Sequence, residues 1–166
     1  MKITMRPATE ADMQAVYAIL SGAIDHMNAN GIPQWDERYP TPADADGNLQ
    51  NGELYVAEAE NGAVVATVAL NQQCDPEYRT TAWQGGEPWV AVHRLCVAPE
   101  AQGQGVGRGL MLAVEDWARA NGYADIRLDA FSRNPHALRM YDKLGYVKRG
   151  EATWRKGLFY LMEKRL

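Results

Sequence analysis

The 166-residue sequence has little cysteine and no long apolar run. Its two cysteines, Cys74 and Cys96, show no C-x-x-C spacing, and Cys96 lies in an apolar stretch that suits a small hydrophobic side chain. No stretch reaches the length of a membrane span, and the N-terminus alternates polar and apolar residues, unlike a secretory signal. We therefore expect a cytoplasmic protein without a membrane partner.

The sequence also lacks a basic excess, since 17 Lys and Arg stand against 21 Asp and Glu, for a net charge of −4. That balance disfavours a nucleic-acid partner, which requires a basic surface. Hydrophobic residues make up 46% and charged residues 23%, which is typical of a globular protein. A chain of about 150 residues can bury roughly 70% of its unfolded surface, so we expect residues 1–166 to form a single domain.

Two common phosphate-binding loops are missing. The dinucleotide fingerprint G-x-G-x-x-G would need glycine at Arg108 if it began at Gly103, or at Leu110 if it began at Gly105. No G-x-x-x-x-G-K-[ST] run occurs anywhere in the chain, so the lysine and the magnesium-binding hydroxyl of the nucleoside-triphosphate loop are absent as well.

A different glycine loop is present. It is preceded by an apolar strand that ends in Leu95, Cys96 and Val97, and it leads into a helix. Glycine tolerates positive φ and a close ligand, while the free N–H groups at a helix N-terminus attract phosphate. The pattern therefore predicts an anion cradle, formed by Gln102, Gly103, Gln104, Gly105, Val106, Gly107 and Arg108.

The spacing Gln-x-x-Gly-x-Gly, placed after a Leu-x-Val strand and an Ala-Pro pair, resembles the acetyl-CoA signature of the GNAT superfamily of N-acetyltransferases. The resemblance implies that the amides of 103–108 hold the pyrophosphate of acetyl-CoA. It also implies that the main chain of Leu95, Cys96 and Val97 pairs with the pantetheine arm. We expect this binding to need no metal. The alternative is a simple glycine-rich turn before a helix.

Hydrophobic periodicity predicts alternating strands and helices along the chain. Asn61-Gly62 is a strong signal for a two-residue hairpin, and the apolar run 89–97 is typical of a central strand. The predicted elements are a strand over 2–6, a helix ending near 30–31, a long loop over 32–46 with a short helix beginning at 41–42, strands over 53–59, 63–70, 89–97 and 124–130, and helices from 106 to about 118 and over 135–144.

A second motif follows the last predicted strand. Asn134 and Pro135 suit the start of a helix, Gly145 suits its end, and Tyr141 lies two helical turns after Asn134. This resembles the superfamily pattern Asn-x-x-Ala-x-x-x-Tyr-x-x-x-Gly-[Phe/Tyr]. The resemblance implies an α/β fold with a mixed, centrally splayed sheet of about six to seven strands flanked by about four helices. It also implies that Asn134 binds the cofactor.

The chemistry implied is direct transfer of an acetyl group to an amine, with Tyr141 protonating the departing thiolate. An alkylamine is protonated at neutral pH, so a base or a water chain must remove a proton first. The strand glutamate of histone-type members is replaced here by Ala91. The candidate bases are His93, which matches a histidine of the serotonin acetyltransferase branch, and Asp129, which matches a glutamate of ribosomal-protein acetyltransferases.

Each of these residues also has a purely structural explanation. His93 is in an apolar strand and can be a hydrogen-bonded core residue, while Asp129 can pair with Arg127 or Arg133. Asn134 can be only an N-cap, and Tyr141 only a core aromatic with a solvated hydroxyl.

The acceptor is expected to contact residues 31–40, because the corresponding loop lines the substrate side in the superfamily. This segment combines aromatic rings with carboxylates, both of which attract a cation, at Trp35, Asp36, Glu37 and Tyr39. Alternatively, Trp35 packs on the core and the two carboxylates are only solvated. We expect a small-molecule amine acceptor and a monomer or homodimer. The alternative functions are a protein or peptide N-acetyltransferase and a non-catalytic acyl-CoA-binding module.

Overall fold

The structure, a computed structural model, describes all residues from 1 to 166 and contains seven strands and four helices. In chain order these are β1 (Ile3–Pro7), α1 (Met13–Ala29), α2 (Pro42–Gln50), β2 (Leu54–Ala59), β3 (Val64–Asn71), β4 (Trp89–Val97), α3 (Val106–Ala120), β5 (Asp125–Phe131), α4 (Pro135–Leu144), β6 (Val147–Trp154) and β7 (Gly157–Arg165). The expected α/β class with a mixed sheet is confirmed. The sequence patterns did not locate β6 and β7.

The chain divides into two compact units, and β4 and α3 each run from one unit into the other. Unit 1 comprises residues 1–70 and 94–114, and unit 2 comprises residues 71–93 and 115–166. The single domain therefore stays a prediction. No helix combines the length and the apolar character needed to cross a membrane.

Unit 1 contains the antiparallel strands β1, β2 and β3. Its hairpin turns at Gly62, which has a φ of 87°, as the Asn-Gly signal predicts. Helix α1 buries one face, and a turn at residues 9–12 directly precedes it. In this turn the Arg6 guanidinium donates to the Asp12 carboxylate at 2.8 Å. This hydrogen bond lowers the pKa of Asp12 to about 2. This network ties the end of β1 to the start of α1.

In unit 2, the strands β5, β7 and β6 are antiparallel neighbours, and β4 joins them in parallel to β5. The parallel register runs from Trp89 opposite Asp125 to Val92 opposite Leu128. It ends there, although β4 continues to Val97 and β5 to Phe131. Mixed pairing and this short parallel register fit the splayed sheet that the resemblance implied.

Unit 2 also buries charge that the sequence patterns did not indicate. Asp125 and Glu163 are 0% and 1% exposed, and each pairs with an arginine, Arg127 at 2.9 Å and Arg149 at 2.6 Å. Burial and a hydrogen bond to Glu163 raise the pKa of Asp125 to about 7. Burial alone would raise the pKa of Glu163, but hydrogen bonds from Asp125, Arg149 and two backbone amides outweigh it and lower the pKa to about 2.

Candidate active site

The predicted anion cradle opens helix α3. Gly103 and Gly105 have φ values of 75° and 77°, in the left-handed region that favours glycine. The amide of Gly109 donates to the Gly105 carbonyl at 2.9 Å, so the amides of 106–108 precede the first hydrogen bond of the helix. A Cβ built at Gly103 or Gly105 would meet nothing within 4 Å. The loop thus combines free amides with open space, as a phosphate-binding loop requires.

Two glutamine side chains are turned back onto the segment before the cradle. Gln102 Nε2 lies 3.5 Å from the Val97 carbonyl, and Gln104 Nε2 donates to the Glu100 carbonyl at 3.2 Å. These contacts use both side-chain amides, and the Gln102 backbone amide donates to the Pro99 carbonyl at 3.3 Å, so the amides suited to a phosphate begin after Gln102.

The end of β4 buries a thiol. Cys96 is 3% exposed, and its Sγ lies 3.5 Å from the Ile19 carbonyl. Burial raises the pKa of this thiol to about 12, so Cys96 is an inert core side chain. Leu95 and Val97, on either side, are half-buried. The residue before them, Arg94, has a φ of 51° and is the one non-glycine residue with positive φ.

Of the four predicted acceptor residues, one is buried and two are exposed. Trp35 is 8% exposed, which favours packing on the core. Asp36 accepts a hydrogen bond from the Arg38 amide at 2.9 Å and thereby shapes a turn. Glu37 and Tyr39 are exposed, Tyr39 to 41%. Of the four predicted residues, these two present the most surface to a ligand.

A cavity of about 390 Å³ lies between helix α1 and the segment that leads into α2. Its polar lining includes two carboxylates, Asp25 and Glu37, and the side chains of Tyr17, Ser21 and Asn28. Its volume is within the range of small-molecule sites, and its carboxylates favour a cationic ligand. Only Glu37 of this lining was singled out from the sequence.

His93, the first candidate base, is half-buried in unit 2. Its Nε2 lies 2.8 Å from the Gln73 carbonyl oxygen. Because a carbonyl oxygen can only accept, this contact assigns the hydrogen of the neutral ring to Nε2 and leaves Nδ1 as the basic atom. Both the structural and the catalytic explanation of His93 are compatible with that contact.

Asp129, the second candidate base, accepts a hydrogen bond of 2.7 Å from the Tyr78 hydroxyl. The expected arginine partners are engaged elsewhere: Arg127 pairs with Asp125, and Arg133 lies over the Phe131 ring at 5.3 Å. Burial and Asp129 raise the pKa of Tyr78 well above its usual value, so Tyr78 stays a donor. Sequence patterns gave no indication of Tyr78, which lies 51 residues away.

Helix α4 carries the remaining predicted residues. Asn134 caps it, accepting a hydrogen bond of 3.2 Å from the Ala137 amide. Tyr141 is 7% exposed and packs edge-on against Tyr146, with ring centroids 5.7 Å apart. Burial and the nearby Asp129 raise the pKa of Tyr141, which therefore remains a neutral phenol with a proton to donate.

Each unit thus collects part of the predicted set. Unit 1 holds the cradle, the end of β4 and the acceptor segment, and unit 2 holds His93, Asp129, Asn134 and Tyr141. The sequence did not point to Arg94, because arginine carries no signal for a left-handed backbone. No group of three His, Cys, Asp or Glu side chains is placed to hold a metal ion.

Comparison with known proteins identifies the family of the chain. Residues 21–146 match the sequence profile described as the "Acetyltransferase (GNAT) family". A Bacillus subtilis relative named "Putative phosphinothricin acetyltransferase YwnH" is 29% identical over 153 residues, which cover 89% of this chain and 86% of the relative. The chain also matches mammalian N-acetyltransferase 8 proteins, but it spans less than half their length, 46% for the mouse protein.

Solved structures share the fold. A GNAT-family acetyltransferase from Streptococcus agalactiae has a TM-score of 0.85 at 19% identity, over 99% of this chain and 95% of that one. The PaiA N-acetyltransferase from Thermoplasma acidophilum, crystallised with coenzyme A, has a TM-score of 0.73 at 16% identity, and the two chains cover each other completely.

Proposed function

Because the chain belongs to the GNAT family of acetyltransferases, we propose that it transfers an acetyl group from acetyl-CoA to a primary amine of a small molecule. The observation that carries this proposal is the loop 102–108, where two left-handed glycines with open space beside them precede the free amides of α3. A phosphorylated cofactor is the ligand such a loop suits best.

We assign the cofactor contacts to three parts of the chain. The amides of 103–108 bind the pyrophosphate, the main chain of 95–97 pairs with the pantetheine arm, and Asn134 contacts the cofactor in addition to capping α4. When bound, acetyl-CoA supplies an acetyl group activated as a thioester. The buried Cys96 takes no part beyond its main chain, because its thiol stays protonated.

The acceptor amine must lose one proton before it can attack. We assign this step to His93 through Nδ1 or to Asp129 through a water molecule. His93 has its Nε2 hydrogen fixed by Gln73 and its Nδ1 lone pair on the other side of the ring. Asp129 has an oxygen fixed by Tyr78. Each contact holds its base in one orientation, and a general base needs that orientation to act.

Tyr141 is the proposed general acid. A donor to the departing thiolate must hold its proton at neutral pH, as a tyrosine phenol does. Its ring is fixed by Tyr146, so the hydroxyl has a defined direction.

A small-molecule acceptor is supported by the name of the Bacillus subtilis relative, "Putative phosphinothricin acetyltransferase YwnH", and by the 390 Å³ cavity beside Glu37. The cavity's carboxylates suit a cationic amine. A protein or peptide acceptor and a non-catalytic acyl-CoA-binding role are the alternatives, and one experiment separates all three.

That experiment combines calorimetry with acetyl-CoA and a thiol-release assay on two panels, free amines and short peptides. The proposal predicts binding and release of thiol with a free amine. Release only with peptides would indicate a protein-modifying enzyme, and binding without release in either panel would indicate a binding module.

A further inference from the structure

Arg94 combines an unfavourable backbone with a specific side-chain position. Its φ of 51° lies in a region that glycine enters freely and that other residues adopt at a conformational cost. Such strain persists where surrounding contacts or function require it. What arginine adds at this position, relative to glycine, is the guanidinium.

The guanidinium is held by two neutral groups. Nη1 donates to the Tyr39 hydroxyl at 2.9 Å, and Nη2 donates to the side-chain oxygen of Asn48. The Tyr39 ring centroid also lies 5.8 Å from the guanidinium carbon. The nearest carboxylate in this chain of contacts is Glu53, one step further on, which accepts from Asn48 Nδ2 at 2.9 Å. No direct partner therefore carries a charge opposite to that of Arg94.

Other arginines of the chain behave differently. Four of them contact a carboxylate directly, Arg6 at 2.8 Å, Arg119 at 3.4 Å, Arg127 at 2.9 Å and Arg149 at 2.6 Å. Arginine offers five N–H donors, and Tyr39 and Asn48 use two of those of Arg94, which leaves three for another acceptor. A half-buried cation with free donors is a binding group for an anion.

The position of Arg94 in unit 1 indicates which anion. It directly precedes residues 95–97, which the proposed function assigns to the pantetheine arm, and its partner Tyr39 belongs to the predicted acceptor segment. The cavity beside its stem, lined by Asn48, Thr67 and apolar side chains, measures only about 10 Å³ and is too small for a ligand group. A ligand must therefore reach the guanidinium from its exposed side.

Resting on the proposed function, we propose that Arg94 binds a carboxylate of the acceptor, so that the enzyme prefers amino acids to amines without an acidic group. Tyr39 and Asn48 hold the guanidinium in place, and the planar fork of the remaining donors pairs with the two carboxylate oxygens. Arg94 is thereby a specificity-determining residue, and the amine of the same molecule receives the acetyl group.

The test compares matched acceptors, a panel of L-amino acids and their carboxamides, by thiol release with the full-length protein. Each pair differs in charge at one group and also in amine basicity, so the informative quantity is the change in the acid-to-amide ratio of kcat/KM between wild type and variant. We expect Arg94→Gln to lower that ratio about 10- to 100-fold, the usual effect of losing a charge-assisted contact. Arg94→Lys should restore part of it.

Arg119→Gln is the control, because it removes a guanidinium that pairs with Asp116 at 3.4 Å and is not among the predicted site residues. The ratio should change less than about threefold in this variant, and the dissociation constant for acetyl-CoA should stay the same in all three. If Arg94→Gln slows acids and amides equally, Arg94 only ties β4 to α2, and the inference is wrong.

Failure of the proposed function gives a different result. Without acetyl-CoA binding, or without thiol release from any amine, both the activity and this inference are lost. If the protein releases thiol with both acids and carboxamides, and Arg94→Gln keeps the wild-type acid-to-amide ratio of kcat/KM, the acetyltransferase activity is supported. Only the role of Arg94 is then wrong.

Discussion

Tyr78 donates a hydrogen bond of 2.7 Å to the carboxylate of Asp129, across 51 residues of sequence. A hydrogen bond donated to a carboxylate stabilises its ionised form. Removing the Tyr78 hydroxyl therefore changes the proton affinity of Asp129 without replacing that residue. The sequence alone did not point to this contact. The contact also makes the two candidate bases experimentally separable.

If Asp129 is the base, the rising limb of kcat/KM against pH belongs to this carboxylate and its water. Asp129→Asn should then remove the limb, and Tyr78→Phe should move it to higher pH, because the ionised form loses its donor. His93→Gln should leave the limb in place. The measurement is a pH–rate profile of the three variants with one amine.

If His93 is the base, the same three variants give the opposite pattern. His93→Gln removes the limb, and Tyr78→Phe leaves it at its original pH. Unchanged profiles in all three would mean that the amine loses its proton to solvent and that positioning alone accounts for the rate.

The phenol of Tyr141 gives a prediction about rate. Tyr141→Phe should lower kcat by about 10²- to 10⁴-fold, the usual contribution of a general acid, without changing the dissociation constant for acetyl-CoA. Tyr146→Phe is the matched control, since it removes the hydroxyl of the neighbouring ring, which donates to Glu115 at 3.3 Å. Equal turnover of wild type and Tyr141→Phe would show that Tyr141 only packs.

Two left-handed glycines allow a matched test of the cradle. Gly105 and Gly62 have φ values of 77° and 87°, and a Cβ at either would meet nothing within 4 Å. Alanine should cost about 1 kcal/mol of unfolding free energy at each position. Only Gly105→Ala should weaken acetyl-CoA binding, by about tenfold or more, in a calorimetric titration. Equal affinities for the two variants would contradict the assignment of the loop.

The raised pKa of Asp125 predicts how the free energy of unfolding depends on pH. Its pKa is about 7 in the folded protein against 3.8 for a free side chain, so folding favours the protonated carboxyl. This contribution is complete below pH 3.8 and is lost as the pH rises to 7. We expect the free energy of unfolding to fall by about 1–2 kcal/mol between pH 5 and pH 8 in urea titrations. Asp125→Asn, which cannot ionise, should abolish that difference. An equal fall of the unfolding free energy in wild type and Asp125→Asn would contradict the prediction.

Much of this arrangement is predictable from local sequence signals. The Asn-Gly pair predicts the hairpin of β2 and β3, the continuous apolar run predicts β4, and Asn134 with Gly145 predicts the helix α4 between them. Glycines predict the left-handed positions of the cradle. Each of these signals acts within a few residues, so no tertiary information is needed.

Long-range contacts are harder to predict from the sequence. The Tyr78–Asp129 pair joins residues far apart in sequence, and the buried Asp125 shares a hydrogen bond with Glu163 of β7. The left-handed Arg94 contradicts local propensity and is held by its tertiary partners. Strands β6 and β7 are partly exposed and carry many charged residues, which weakens the period-2 pattern of a strand.

Acetyl transfer itself is tested most directly by following thiol release from acetyl-CoA and the mass of the amine in one reaction. We predict one acetylated amine for each thiol released, with release that requires both substrates and that, at limiting acetyl-CoA, keeps its wild-type rate in Gly62→Ala and is slower in Gly105→Ala. Thiol release no faster than in the absence of protein, with every amine unmodified, would contradict an acetyltransferase function.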